Sequence, residues 1–189
     1  MGFDAVGGAM SGEAALGRDM AGDNARLRKI GLAAAVLATV ADQAFKLWLL
    51  FGFGIERIGA IRVTAFFDLV LVWNKGISYG LFQMHGTLGQ ALLVLFKIAA
   101  VVFLAIWLWR AAGSRIVAVG LGLIIGGALG NTIDRLAYGA VLDFALFHVQ
   151  IGAMDYKWYV FNLADVAIVA GVAGLLYDSL WGGRAKKAP

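Results

Sequence analysis

Long apolar runs separated by polar stretches dominate the pattern of hydrophobic and polar positions along the chain. Four runs, at 30–53, 88–109, 116–133 and 160–181, are each near the roughly 20 residues that an α-helix needs to cross a bilayer. The first run is too long for the apolar part of a cleaved signal peptide and lacks a well-placed small-residue cleavage site. The pattern therefore predicts four retained membrane-spanning helices.

The two longer polar connections, 54–87 and 134–159, differ from each other in character. Residues 61–73 are rich in β-branched and aromatic side chains and begin with a polar/apolar alternation, which favours short strands. Glycines follow at 76, 80 and 86, so we expect a turn or short amphipathic helix before the second span. One more buried helix is the alternative. The predicted fold is an all-α integral membrane protein with four transmembrane helices and a small extracytoplasmic β-sheet on the outer membrane surface.

Composition supports this class and excludes others. Hydrophobic residues make up 61% of the 189 residues, mean hydropathy is +0.82, and charged residues are 15%, against about 25% in soluble domains. The chain has no cysteine, which excludes disulfides, thiol nucleophiles and cysteine-based metal sites. The net charge of +4 is spread over loops and tails rather than gathered among aromatic residues, so we expect no nucleic-acid partner.

Basic residues near the predicted spans indicate the orientation. They fall on one side of a chain that crosses four times, which makes that side and both termini cytoplasmic; they are Arg18, Arg26, Arg28, Lys29, Arg110, Arg115, Arg184, Lys186 and Lys187. The two long connections then face outward, and they carry the aromatic residues expected at an interface, Trp73, Tyr79, Tyr156, Trp158 and Tyr159.

The predicted domain organisation has three parts. Residues 1–29 contain glycine, alanine and scattered charge without an apolar period, and we expect a disordered cytoplasmic tail. Residues 30–181 form the four-span membrane domain, and residues 182–189 form a basic cytoplasmic tail.

Three carboxylates lie where candidate chemistry is expected. Asn131-Thr-Ile-Asp134 and Asn162-Leu-Ala-Asp165 each place an amide and a carboxylate on one helix face at the boundary of an apolar run, and Asp143 lies between them. Two carboxylates in a poorly solvated site cannot both ionise easily, so the pair can act as base and acid and activate water against an amide. The asparagines can orient a carboxylate or hold a substrate carbonyl. The alternative is that the acids cap or solvate helix ends, and spacing alone does not choose between Asp134 and Asp143.

Three further charges, Asp42, Lys46 and Lys97, lie well away from the ends of the apolar runs. Asp42 and Lys46 are four residues apart in the first span, and mutual neutralisation lowers the cost of placing them in hydrocarbon. We interpret them as a structural pair, with Lys46 near enough to the outer end to reach the carboxylates. Lys97 in the second span is expected to snorkel or to pair with Asp42 rather than to catalyse.

Other chemistries find little support. His85 and His148 are isolated, no His-Glu-x-x-His or other metal-ligand spacing occurs, and no Gly-x-Ser-x-Gly elbow is present. Gly122, Gly126 and Gly130 lie in an apolar span at small-x-x-x-small spacing, which favours close helix packing rather than phosphate binding. We therefore expect no metal at the site.

At these residues the chain resembles the lipoprotein signal peptidases, the signal peptidase II family of bacterial inner-membrane aspartyl peptidases. The resemblance covers about residues 30–181 and rests on five ordered motifs. They are Asp42-Gln-Ala-Phe-Lys46, Asn74-Lys-Gly76-Ile-Ser-Tyr-Gly80, Gly127-Ala-Leu-Gly130-Asn131-Thr-Ile-Asp134-Arg135, Gly139-Ala-Val141-Leu-Asp143-Phe144 and Phe161-Asn162-Leu-Ala164-Asp165. Ser78, Tyr79 and a slightly long stretch between Asp143 and Asp165 depart from the family pattern.

The resemblance implies a function and residue roles. The family's catalytic dyad maps onto Asp143 and Asp165, and the supporting set maps onto Asn74, Asn131, Asp134, Arg135, Asn162, Asp42 and Lys46. Family members cleave the signal peptide from prolipoproteins just before a diacylglyceryl-modified cysteine, without metal or cofactor. The implied partners are this prolipoprotein and membrane lipid, the implied location is the bacterial inner membrane with the active site near the periplasmic face, and we expect a monomer.

Two rival classes remain open. The charges within spans, Asp42, Lys46 and Lys97, would suit a small transporter or proton channel. Transporter sites usually lie near the midplane between internal repeats, whereas here the acids gather at one face and no repeat is evident. A non-enzymatic lipid-binding scaffold is the other alternative.

Overall fold

The computed structural model describes residues 4–76 and 87–182 of the chain. Its elements, in chain order, are α1 (Asp4–Leu47, continued by a π-helical segment Trp48–Phe53), α2 (Ile55–Ile58), β1 (Ile61–Arg62), β2 (Phe67–Asn74), α3 (Thr87–Ala111), α4 (Arg115–Tyr138), β3 (Val141–Ile151), β4 (Met154–Lys157) and α5 (Leu163–Tyr177, continued by a π-helical segment Asp178–Gly182). The turn or short helix expected before the second span lies outside the described residues.

Within the described ranges, 4 helical segments are long and apolar enough to cross a membrane. They are Ala21–Phe53, Leu88–Arg110, Arg115–Tyr138 and Leu163–Gly182. The four predicted spans are therefore confirmed, together with the combination of membrane helices and a small sheet. The boundaries differ by a few residues, most of all at the start of the first span.

Helix α1 begins at Asp4 and so includes most of the stretch for which a disordered tail is expected. The stretch contains alanine, leucine and arginine, which favour a helix, together with glycines at 7, 8, 12, 17 and 22, which disfavour one. The basic tail at 183–189 lies outside the described residues, and the division of the chain into tails and membrane domain stays a prediction.

Helix α4 packs against α1 and α5 at positions where it carries glycine. A Cβ atom on Gly122 or Gly126 would collide with the backbone of α1, and one on Gly127 would collide with the Ala164 carbonyl of α5. The predicted close packing through small residues is confirmed. This packing brings the C-terminal ends of α1 and α4 and the N-terminal end of α5 together, and the candidate polar residues lie there.

The sheet is antiparallel with the order β1-β2-β3-β4. The strands predicted at 61–73 are confirmed as β1 and β2, but the second connection supplies two further strands, β3 and β4, that the sequence pattern did not predict. The first residues of β3, from Val141 to Ala145, are all buried. The sequence of this part of the strand is therefore almost continuously apolar and lacks the alternation of polar and apolar residues that usually marks a strand.

A buried apolar cluster fixes the sheet against the membrane helices. It includes Leu49 at the end of α1, Ile55 in α2, and Leu142 and Phe144 in β3. Because β3 follows directly after α4, this cluster holds the start of the strand next to the C-terminal end of α4.

Candidate active site

Asp143 lies in β3 just beyond the end of α4. Gly139 ends α4 with a φ of 71°, a left-handed conformation that favours glycine, and the chain turns into the strand. Successive side chains of a strand point to opposite sides, so packing of Leu142 and Phe144 into the apolar cluster turns Asp143 the other way, toward α4 and α5. Asp143 is buried, with 2% of its surface exposed.

Two asparagines hold the Asp143 carboxylate. Asn74 of the neighbouring strand β2 donates from Nδ2 to Oδ2 at 3.0 Å, and Asn162 donates from Nδ2 to Oδ1 at 2.6 Å. The β2–β3 register, which pairs Val72 with Asp143, places Asn74 beside this strand position. Both oxygens of the carboxylate therefore have a fixed orientation.

Asp165 is positioned by the first turn of α5. The Asn162 side chain accepts from the Asp165 backbone N–H at 3.0 Å, and the Asp165 carboxylate accepts from the Asn162 backbone N–H at 3.3 Å, which forms a capping box. Asn131 of α4 donates from Nδ2 to Asp165 Oδ1 at 3.0 Å. The alternative reading, that the acids cap helix ends, is thus correct for Asp165, but the same carboxylate also faces the cavity described below.

Asn162 joins the two carboxylates. Its amide nitrogen contacts Asp143, while its amide oxygen accepts from the backbone of Asp165. The same nitrogen lies 3.0 Å from Asn131 Oδ1, so the two asparagines also contact each other. Movement of either carboxylate would break hydrogen bonds that position the other.

Asp134 belongs to a second buried cluster, which contacts the first at Asn131. Lys46 Nζ lies 2.8 Å from both Asp42 Oδ2 and Asp134 Oδ2, and 3.3 Å from Asn131 Oδ1. The predicted Asp42–Lys46 pair and the reach of Lys46 toward the carboxylates are confirmed. Asp134 also accepts from the backbone N–H of Leu142 at 3.0 Å, so its oxygens are engaged by protein groups.

Gln43, which was not among the residues predicted to form the site, also belongs to this cluster. Its amide nitrogen donates to Asp134 Oδ1 at 2.9 Å and to the Gly130 carbonyl at 3.0 Å. A polar amide between Asp42 and Lys46 in an otherwise apolar span was the available signal. Gly130 matters here as well, because a Cβ atom there would lie 2.6 Å from the Asp42 carboxylate.

Burial raises the pKa of Asp143 to about 7. The hydrogen bond from Asn74 lowers this pKa, the negative charge of Asp165 raises it, and the hydrogen bond from Asn162 lowers it again. Near neutral pH the Asp143 carboxyl therefore exchanges a proton readily. This is the property required of a group that donates and accepts protons during a reaction.

A cavity of about 110 Å³ opens beside the two carboxylates and can hold water. Its lining residues are Asn74, Leu93, Phe96, Lys97, Asn131, Arg135, Val141, Asp143 and Asp165. Asp134, Asp42 and Lys46 do not line it. The structure thus separates the three candidate acids into two that face the cavity and one that is enclosed.

Two cations line the cavity from different helices. Arg135 of α4 donates from Nη1 to Gln90 Oε1 at 2.8 Å and from Nη2 to the Gly76 carbonyl. Lys97 of α3 has no ion pair with Asp42 in the described residues, because Asp42 is engaged by Lys46 and by the Ala164 backbone. The suggested Lys97–Asp42 pair is therefore wrong.

The histidines lie apart from this site. His148 is not isolated, as the sequence suggested: its ring nitrogens lie 3.2 Å from Asp155 Oδ1 and 3.3 Å from Asp68 Oδ1. Strand pairing brings these residues together across β2, β3 and β4, which sequence spacing does not reveal. His85 lies outside the described residues.

Comparison with known proteins gives an independent result. A model of the signal peptidase (SPase) II family matches residues 34–181. A lipoprotein signal peptidase of Rhodopseudomonas palustris (strain TIE-1) is 61% identical over 161 residues, which are 85% of this chain and 98% of that protein. One of Nitrobacter hamburgensis is 62% identical over 159 residues, covering 84% and 96%.

Solved structures agree at the level of the fold. A bacterial membrane enzyme determined by the in meso method at 2.3 Å resolution superposes with a TM-score of 0.67 over 84% of this chain and 91% of that one, at 23% identity. A second, at 1.9 Å resolution, gives a TM-score of 0.64 at 24% identity, covering 80% and 92%. From the family match over most of its length and the identity to these relatives, the chain belongs to the signal peptidase II family of membrane enzymes.

Proposed function

We propose that this protein is an aspartyl endopeptidase that removes signal peptides from diacylglyceryl-modified prolipoproteins by cleaving before the lipidated cysteine. The names of its relatives support the substrate class. The observation that carries the mechanism is that Asp143 and Asp165 line one cavity and are joined through Asn162. Asp134, by contrast, is enclosed by Lys46, Gln43 and the backbone.

In the proposed reaction the carboxylate pair shares one proton near neutral pH, consistent with the Asp143 pKa of about 7. The ionised carboxylate takes a proton from a water molecule in the cavity, and the water oxygen bonds to the scissile carbonyl carbon. The protonated carboxyl donates its proton to the carbonyl oxygen. Collapse of this tetrahedral species breaks the C–N bond: the amine leaves with the proton held by the pair, and one hydroxyl of the tetrahedral species returns its proton to the other carboxylate. The acid product forms, and the pair again holds one proton.

The remaining polar residues position this pair. Asn74, Asn131 and Asn162 orient the two carboxylates. The Asp42–Lys46–Asp134 cluster helps to position Asn131, because Lys46 Nζ donates to Asn131 Oδ1 at 3.3 Å.

Arg135 holds the chain after β2 through the Gly76 carbonyl. Its guanidinium also lines the cavity and can donate to a substrate carbonyl.

The proposed setting is the bacterial inner membrane, with both termini cytoplasmic and the site near the periplasmic face. Basic residues beside the apolar runs support this orientation, including Arg28 just before the run at 30–53, Arg110 in the last turn of α3 and Arg115 at the start of α4. Lipid attached to the substrate would confine the scissile bond to the membrane surface, so that a monomer meets it by diffusion in two dimensions.

The test uses the purified full-length protein and a synthetic diacylglyceryl prolipoprotein peptide in lipid. Asp143→Asn and Asp165→Asn should each abolish release of the signal peptide while folding and peptide binding persist, because an amide cannot take or give the proton. Asp155→Asn, a carboxylate change outside the cavity, is the matched control and should cleave normally. Undiminished cleavage by either cavity variant would refute the two-aspartate mechanism, as would loss of wild-type activity in EDTA that zinc restores.

A further inference from the structure

The second half of β3 forms a hairpin with β4 that extends beyond the carboxylate site. Val149 pairs with Tyr156 and Ile151 with Met154, and Gly152 turns the chain with a φ of 62°. Ile151 lies eight residues beyond Asp143 on the same strand, about 26 Å along it at roughly 3.3 Å per residue. The hairpin thus extends the strand that carries Asp143.

The two faces of this hairpin differ sharply. One face consists of three apolar cross-strand pairs, and their side chains are between 43% and 64% exposed: Phe147 with Trp158, Val149 with Tyr156, and Ile151 with Met154. The opposite face carries His148, Gln150, Asp155 and Lys157. Six exposed apolar side chains on one face of a short hairpin require a covering partner.

The apolar face is continuous with the surface of a membrane span. Phe147 and Trp158 line a depression of about 340 Å³ on the hairpin and also a groove of about 380 Å³ that runs along α5. The groove reaches Val166 and Val169, exposed residues of that span. The surface that covers Val169 in a membrane is lipid, so the same lipid surface extends onto the hairpin.

We propose that the apolar face of the β3–β4 hairpin inserts into the membrane leaflet beside the site and anchors the sheet there. Trp158 and Tyr156 have the apolar ring and polar tip that suit the boundary between headgroups and acyl chains. The polar face, with Asp155 and Lys157, points toward the headgroups and water. The free edge of β4 keeps the hairpin at the interface, because unpaired backbone groups are too costly in hydrocarbon.

This anchor sets the height of the strand that bears Asp143 relative to the bilayer. The inference rests on the strand pairing, the exposure and the continuity with α5, and it holds whether or not Asp143 is catalytic.

The absence of cysteine from the chain allows a clean test. Single substitutions Ile151→Cys and Met154→Cys place a label on the apolar face, and Gln150→Cys and Asp155→Cys place it one residue away on the polar face. Each protein carries an environment-sensitive fluorophore and is reconstituted, one copy per nanodisc, in phosphatidylethanolamine and phosphatidylglycerol. Nanodiscs leave both membrane faces open to quenchers and exclude shielding by a second copy.

We expect blue-shifted emission from labels at 151 and 154, strong quenching by nitroxide attached to lipid acyl chains, and loss of quenching by aqueous iodide. Labels at 150 and 155 should show the reverse pattern. Equal iodide quenching at all four positions would overturn the proposal, as would protection at 151 and 154 without quenching by the lipid nitroxide. Far-ultraviolet circular dichroism checks the fold of each variant, and Val149→Cys replaces either apolar-face variant that fails to fold.

Discussion

Replacing Lys46 with methionine removes the cation that lies between the Asp42 and Asp134 carboxylates. Lys46 Nζ is 2.8 Å from each of them, and these side chains are 3%, 0% and 1% exposed. Methionine preserves much of the volume, so the main effect is two buried carboxylates without a counter-charge. Removing one partner of a buried ion pair costs about 3–5 kcal/mol in the free energy of unfolding, and we expect Lys46→Met to lie at or above the middle of this range.

Asp42→Asn should cost less, about 1–3 kcal/mol, because Lys46 keeps its bond to Asp134 and the Asn oxygen can still accept from the Ala164 backbone. The double variant should be more stable than the sum of the single effects predicts, since only Asp134 is then left without its cation. Recovery should be incomplete, because Gln43 and the Leu142 backbone compensate Asp134 only in part.

The assay is reversible unfolding in mixed micelles with increasing dodecyl sulfate, followed by far-ultraviolet circular dichroism. Lys157→Met is the matched control: this lysine is largely exposed, its ion pair with Asp155 spans 3.7 Å, and we expect a change below about 0.5 kcal/mol. If Lys46→Met costs no more than Asp42→Asn, or if the double variant is simply additive, the assignment of Lys46 as the shared counter-charge is refuted.

Four further outcomes are expected. Burial raises the pKa of Asp143 to about 7, so the neutral form of this carboxyl favours the fold. The stability that the neutral form contributes is present at acid pH and is lost as pH rises through about 7. Asp143→Asn should therefore be more stable than the wild type when unfolding is measured above pH 7. Cleavage by the wild type should also fall above that pH as the pair loses its shared proton. Lys97→Met should shift the alkaline limb of the pH profile of kcat/KM to higher pH, because the Lys97 ammonium lines the cavity and favours ionised carboxylates there. Arg110→Met, at the end of the same helix, is the control and should leave the pH profile unchanged. Deleting residues 2–20, which precede the first span, should leave membrane insertion and cleavage intact. Protease protection in sealed vesicles measures insertion, and release of the signal peptide measures cleavage. A truncated protein that inserts but does not cleave would contradict this prediction.

Much of the architecture follows from patterns that are local in sequence. Each span is a single apolar run whose length matches the bilayer, so it can be located without its neighbours. The Asp42–Lys46 pair lies within one helix, where a spacing of four residues guarantees contact.

Features that depend on distant contacts were harder to predict. Asn131 orients Asp165 of the other repeated motif and not its own Asp134, because α4 and α5 pack side by side through Gly127. The choice of Asp143 over Asp134 likewise requires the fold: the two acids look alike in sequence, and only packing shows that Lys46 encloses one while the other faces a cavity. Strand β3 was missed since burial on both faces removes its alternation.

The capping box of α5 makes the site dependent on the order in which the chain is completed. Asp165 takes its position from the first turn of the last span, and Asn162 in the same turn holds Asp143. A nascent chain that has released β3 but not yet inserted α5 therefore has one carboxylate without its partner and without the amide that orients it. The pair forms only when the fourth span closes against α4, so a chain truncated before Asn162 cannot assemble the proposed site.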